Sequence, residues 1–180
     1  MTIYLIRHGK TAGNLEGRYI GTTDEPLCPQ GIAELKARTY QPVSRVFVSP
    51  LKRCIETAQL LYPGLPPIAV PALRECDFGL FEGKNYAELN GRADYQAWID
   101  SGGTLPFPGG ESRTAFAARC VAGFQQAVAA MPAQEAAAFV VHGGTIMAVM
   151  EACARPPQEY FFWQVKCGEG FALMQNGRWE

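Results

Sequence analysis

Along the chain, short apolar runs bounded by polar residues alternate with longer stretches in which apolar positions return every three or four residues. The runs "TIYLI" (2–6), "RVFVS" (45–49) and "AAFVV" (137–141) have almost no polar face, which suits strands buried on both sides. In "SPLKRCIETAQLLY", Leu51, Cys54, Ile55, Ala58 and Leu61 keep helical spacing, with Ser49 placed to cap the helix and Pro50 to open it. "SRTAFAARCVAGFQQAVAAM" spaces Phe116, Cys120, Phe124 and Val128 by fours, behind a candidate cap at Ser112. "GIAELKARTY" reads as a shorter helix and "TIMAVMEACA" as a largely buried one. Strands alternating with helices predict an α/β fold, a sheet with helices on both faces. The tail "GFALMQNGRWE" reads as a hairpin-like edge with an Asn-Gly turn.

Two stretches fit no periodic element. "LEGRYIGTTDEPLCPQG" is polar and turn-rich, and "FGLFEGKNYAELNGRADYQAWIDSGGTLPFPGGES" mixes glycine, proline and aromatics. In α/β sheets such loops gather beyond the carboxyl ends of the strands, where ligands bind. No linker, repeat or low-complexity tract interrupts the chain, and 180 residues suffice for one domain with a sizeable core. A net charge of −1 gives no global case for nucleic acid or an anionic membrane as partner. No stretch approaches about 18 continuous apolar residues, and no basic region followed by an apolar core opens the chain, so neither a membrane span nor an export signal is expected. The six cysteines form no CxxC pair and mostly sit in apolar surroundings, which reads as reduced thiols in a cytoplasmic protein.

Both histidines of the chain directly follow predicted strands: His8 ends "YLIR" and precedes Gly9, and His142 ends "AAFVV" and precedes Gly143 and Gly144. The spacing alone leaves open whether they share a site or are unrelated and satisfied separately by the fold. Arginine placement narrows the choice. Arg7 adjoins His8, and Arg53 falls in the first turn of a helix whose N-terminus favours anions. Two arginines, two imidazoles and a helix N-terminus suit a dianionic phosphate. Other phosphate chemistries lack their parts. No cysteine has an arginine six positions on, no Asp-x-Asp occurs, and "GLFEGKN" has neither the glycine spacing nor the hydroxyl of a P-loop. Two histidines and four aspartates supply a di-metal hydrolase poorly. A nucleophilic histidine remains.

These residues resemble the histidine phosphatase superfamily, the phosphoglycerate mutase-like group. The resemblance runs through "LIRHGKT", Asn14, "IGTTDEPLCPQG", "VSPLKRCIETA", "LRECDFGLFEG" and "VVHGGTI", in the family's order. It implies a three-layer α/β/α sandwich with a mostly parallel central sheet, in one domain spanning 1–180 with a lid-like insertion at about 76–111. It further implies that His8 is the nucleophile, becoming phosphohistidine, and that Arg7, Arg53 and His142 hold the phosphoryl oxygens. Asn14 and the Gly21–Thr22 turn would add donors to the phosphate, and Gly143 would let the backbone approach it. Glu75 would protonate the leaving oxygen and then activate water. Glu82 would orient the loop or Glu75. No metal and no cofactor is implied. Two positions depart from the family's pattern: Lys10, where glutamate or glutamine is usual, adds positive charge near the pocket, and Cys28 replaces the usual capping hydroxyl before "PQG".

Between Glu75 and His142 the chain carries only Lys84, Arg92, Arg113 and Arg119, none adjacent. A mutase of this family uses a longer, more basic insertion, so phosphatase is the expected activity. The small size, "PGGES" and "HGG" most resemble the α-ribazole phosphatase branch, with Tyr86, Tyr95, Trp98 and Phe107 available as an aromatic wall. A sugar phosphatase, a broad phosphomonoesterase, a phosphoglycerate mutase and a non-catalytic phosphate sensor are the alternatives. The expected partner is a small phosphorylated metabolite. Oligomeric state is not readable.

Overall fold

The computed structural model describes residues 1–174. Among them, five strands form one sheet: β1 (Thr2–Arg7), β2 (Arg45–Val48), β3 (Ile68–Ala69), β4 (Ala136–Val141) and β5 (Gly170–Met174). Their order is β3-β2-β4-β1-β5, parallel throughout except that β5 runs antiparallel to β1 at the edge. The helices are α1 (Ala12–Leu15), α2 (Pro29–Lys36), α3 (Lys52–Leu61), α4 (Tyr86–Leu89), α5 (Ala93–Asp100), α6 (Arg113–Ala129) and α7 (Gly143–Cys153). Among the described residues no helix is long and apolar enough to cross a membrane.

The unbroken apolar runs are explained by burial on both faces of the sheet. Ile3, Leu5, Phe47, Ala137, Phe139 and Val141 face α6 and α7, meeting Phe124, Val128, Ile146 and Val149. The alternate residues Ile6, Val46, Val48, Ala138 and Val140 face α3, meeting Cys54, Ala58 and Tyr62. A period of two thus distributes one apolar run over two cores. At the centre Phe139 stacks on Phe47 at 4.7 Å and meets Phe124 at 5.0 Å between ring centroids. The result is the three-layer α/β/α sandwich with a mostly parallel sheet.

The expected start of α3 needs correction. α3 starts at Lys52 after a cap at Leu51, so Ser49 does not cap it and Pro50 does not open it. The Ser49 N–H stays in the strand register, donating to the Val140 carbonyl, while its hydroxyl turns to His142. The Asp24 carboxylate serves the helix start instead, accepting from the Lys52 N–H at 2.7 Å. The tail strand β5 pairs with β1 across the sheet, and the expected Asn-Gly turn at 176–177 lies outside the described residues. Elsewhere Ser112 caps α6 as its position suggests, and the sulfur of Cys28 caps α2 through a long 3.4 Å contact from the Gly31 N–H.

Residues 77–111 leave the sheet region and return at a narrow neck. Asp77 and Glu111 close it, the Glu111 N–H donating to the Asp77 carbonyl (2.9 Å) and the Asp77 N–H to the Glu111 carboxylate (3.0 Å). Leu80 N–H donates to the Pro108 carbonyl beside them. Gly79 at φ +52° fits there because a Cβ would lie 2.2 Å from that carbonyl. Beyond the neck, Phe81, Leu89 and Tyr95 form a small core of their own, with Tyr19, Phe78, Trp98 and Phe107 against it.

Candidate active site

Strand register brings the two histidines together. Arg7 pairs with Val141 across β1 and β4, and the His8 N–H donates to the Val141 carbonyl, so the residues one step past the two strand ends are neighbours. Their rings lie 5.2 Å apart, edge to face. On the other side of β4, the end of β2 supplies Ser49, whose hydroxyl meets His142 Nε2 at 2.7 Å. The helix after β2 supplies Arg53, and the segment after β3 supplies Glu75. All four parallel strands therefore deliver a group to one end of the sheet, as expected for a parallel α/β fold.

Each group is held in a defined state. His8 Nδ1 lies 2.7 Å from the Gly9 carbonyl. A carbonyl only accepts, so Nδ1 carries the proton and Nε2 is left with its lone pair. Burial, and next the positive charge of Arg53, push the proton affinity of His8 well below its ordinary value. The same two causes act in the same order on His142, and both rings are neutral at neutral pH. Glu75 is shifted the opposite way: burial raises its pKa although the Cys76 N–H (3.0 Å) and Gly144 N–H (3.4 Å) donate to its oxygens.

The two arginines are fixed from behind. Arg7 Nη1 donates to the Val165 carbonyl at 2.7 Å. Arg53, fully buried, donates to the carbonyls of Thr23 (2.7 Å), Gly21 (2.9 Å) and Ile20 (3.3 Å). That loop is itself stapled by Glu82, whose Oε1 accepts from the Gly21 and Thr23 N–H groups and the Thr23 hydroxyl. The Nε of each guanidinium stays buried without a partner. A buried and a half-buried guanidinium, each with a buried Nε–H unspent, beside two neutral imidazoles, form an anion site.

A cavity of about 300 Å³ reaches the edge of this cluster at Arg7 and Glu75. Arg7, Glu75, Gly143 and Gly144 line its polar end, and Tyr19, Phe78, Trp98, Phe107, Phe116, Tyr160 and Phe161 its aromatic walls, with Arg113 over the Tyr160 ring.

The comparison with known proteins decides the family. Residues 3–170 match the histidine phosphatase superfamily (branch 1). The chain belongs to that superfamily. It is 34% identical over 163 residues to 2,3-bisphosphoglycerate-dependent phosphoglycerate mutase 2 of Gloeobacter violaceus, covering 82% of this chain and 73% of that one. It is 28% identical to the adenosylcobalamin/alpha-ribazole phosphatase of Salmonella typhi, covering 97% and 95%. The crystal structure of the alpha-ribazole phosphatase from Shigella flexneri superposes with a TM-score of 0.79 at 26% identity, covering 98% of this chain and 91% of that one. As a histidine phosphatase, the protein is an enzyme acting on phosphate monoesters.

Of the residues singled out from the sequence of this histidine phosphatase, Arg7, His8, Arg53, Glu75 and His142 converge on the strand ends, and Gly143 lies against Arg7. Asn14 spends its amide oxygen in the capping box of α1, where Thr11 is its partner. The Gly21 N–H goes to Glu82, and Thr22 is exposed on the same loop. Lys10 pairs with Glu34 at 2.7 Å, which offsets its charge. Of the four aromatics proposed as a wall, Trp98 and Phe107 line the cavity, Tyr95 lies buried behind Trp98, and Tyr86 is exposed. Sequence reasoning missed Ser49 as the partner of His142. It also missed Tyr19, Phe78, Phe116, Tyr160 and Phe161, of which only the aromatic run "YFFW" carried a visible signal.

Proposed function

We propose that this histidine phosphatase hydrolyses the phosphate monoester of a small metabolite through phosphohistidine on His8. The observation that carries the reading is the Nδ1–H of His8 locked to the Gly9 carbonyl, which leaves a neutral Nε2 lone pair beside Arg7 and the buried Arg53. Nε2 attacks phosphorus, and the bond from phosphorus to the leaving oxygen breaks. Glu75, whose burial favours the protonated form, gives that oxygen its proton. Arg7, Arg53 and His142 hold the three remaining oxygens as charge spreads over them. Glu75, now a carboxylate, takes a proton from water, whose oxygen attacks phosphorus. The N–P bond breaks, phosphate leaves, and His8 and Glu75 regain their starting states. Asn14 and Gly143 frame the phosphate, the Gly21–Thr22 turn acts from behind by holding Arg53 through the Gly21 carbonyl, and residues 76–111 act as the lid.

The aromatic walls favour a flat leaving alcohol, and we take α-ribazole 5′-phosphate as the substrate, in keeping with the relatives named for that ester. Phosphoglycerate mutase is the second reading. Arg113, a further cation on the cavity wall, and the Gloeobacter relative favour it.

The test is phosphate release in EDTA from α-ribazole 5′-phosphate, p-nitrophenyl phosphate and ribose 5-phosphate, beside mutase turnover of 3-phosphoglycerate primed with 2,3-bisphosphoglycerate. Stacking of one base should favour the ribazole ester by about ten- to a hundredfold in kcat/KM. His8→Ala should fold and lose turnover of every ester. Mutase turnover exceeding hydrolysis would select the second reading, while activity retained by His8→Ala or lost in EDTA would overturn the mechanism.

A further inference from the structure

Arg119, on α6, lies outside the anion site, yet all five of its N–H groups are spent close to Glu75. Nε donates to Glu111 Oε1 at 3.0 Å and Nη2 to Glu111 Oε2 at 2.7 Å. Nη1 donates to the carbonyls of Ala72 (2.8 Å) and Arg74 (3.0 Å), and Nη2 to the carbonyl of Glu75 itself (3.4 Å). Glu111 completes the bracket by accepting from the Asp77 N–H. The pair is four-fifths buried or more, and its charges cancel, so it serves no anion. A rigid fork of five donors matched to three carbonyls and a carboxylate holds one short stretch of backbone, residues 72–77, in one shape.

The detail that matters is the Glu75–Cys76 peptide. Arg119 grips its oxygen, and its N–H is the group that donates to Glu75 Oε1 at 3.0 Å. Oxygen and hydrogen of a trans peptide point opposite ways in one rigid plane. Holding the one aims the other. We infer that Arg119, braced by Glu111, is a positioning residue that orients the Glu75 carboxyl toward the leaving oxygen. Without it the plane is free to turn, the N–H swings off Oε1, and the carboxyl loses the donor that sets its direction. The arginine never meets substrate.

The inference rests on Glu75 being the general acid proposed above, so its test separates the two ideas. A misplaced acid matters for a leaving group that needs a proton and hardly at all for p-nitrophenolate. The readout is kcat/KM for ribose 5-phosphate divided by kcat/KM for p-nitrophenyl phosphate on one preparation, a ratio independent of how much enzyme is active. Arg119→Ala should lower kcat/KM for the sugar ester by about ten- to a hundredfold and for the nitrophenyl ester by less than about threefold. Arg119→Gln, which keeps two donors, should fall between, and serves if the alanine variant does not fold. In the double variant Glu75→Gln/Arg119→Ala the ratio should equal that of Glu75→Gln alone, because the arginine acts only through the acid. A ratio unchanged in both arginine variants, or a further drop in the double variant, overturns the positioning role. If Glu75→Gln itself leaves the ratio unchanged, the general-acid assignment falls and the inference falls with it.

Discussion

Gly144 is packed so closely that a single methyl group would reach the chemistry. A Cβ there would lie 2.6 Å from Glu75 Oε1 and 3.1 Å from the Phe116 ring. The carboxyl is the softer neighbour and would be pushed aside. Gly144→Ala should therefore lower kcat/KM by about a hundredfold, the scale expected for a displacement of about 1 Å, while thermal melting stays close to that of the parent. Loss of the fold in place of loss of rate would mean that the ring, not the carboxyl, meets the added methyl. The need for glycine at 144 was not visible in the sequence, where the pair stood out only because it follows His142. Arg53 teaches the same lesson. Its spacing put it at the start of a helix, but its burial depends on carbonyls at 20, 21 and 23, and these in turn on Glu82, none of them near it along the chain.

At the scale of elements, local pattern was informative wherever an element is packed on all sides. β1, β2, β4, α3, α6 and α7 were all legible because each is an unbroken apolar run or a long periodic one. β3 was not, since it is two residues long and both are exposed. Nor were α4 and α5, which are short and stabilised by the aromatic cluster around Phe81. The start of α3 was misjudged for a specific reason: Ser49 had a stronger claim on it than a cap, from a histidine 93 residues away, and Asp24 was free to take the helix end. α6 gives a direct measure of how packing supports the sheet. Phe124 is fully buried against Phe139 at the centre of the larger core. Phe124→Ala should lower the free energy of unfolding by about 3–5 kcal/mol, read as a shifted urea midpoint, with kcat/KM of the folded enzyme unchanged. A change under about 1 kcal/mol would show that the core collapses around the gap.

For the molecule as a whole, the site's buried titratable groups are written into the pH dependence of folding. His8 and His142 bind protons less readily in the native state than their ordinary value of 6.5, so the unfolded chain takes up protons first as pH falls. Stability should decline below about pH 6.5, by up to about 1.4 kcal/mol per pH unit for each ring, until the native rings protonate. Glu75 has the opposite sign. Its native pKa lies above 4.5, so its contribution falls as pH rises from 4.5 through that raised value. Urea midpoints measured from pH 8 to pH 5 should drop toward acid, and His142→Gln should make the drop shallower. An equal drop in that variant would place the acid sensitivity elsewhere.

The neck at Asp77 and Glu111 has a consequence for how such an enzyme diversifies. Because the two ends of the excursion are pinned to each other, its interior is a cassette whose length is nearly free. By loop-closure entropy each doubling costs only about 0.6 kcal/mol. Insertions beyond Glu82, which stays tied to the loop that holds Arg53, can reshape what covers the cavity without moving the strand ends beneath it, so substrate range and most of the catalytic machinery are able to evolve on separate parts of the chain.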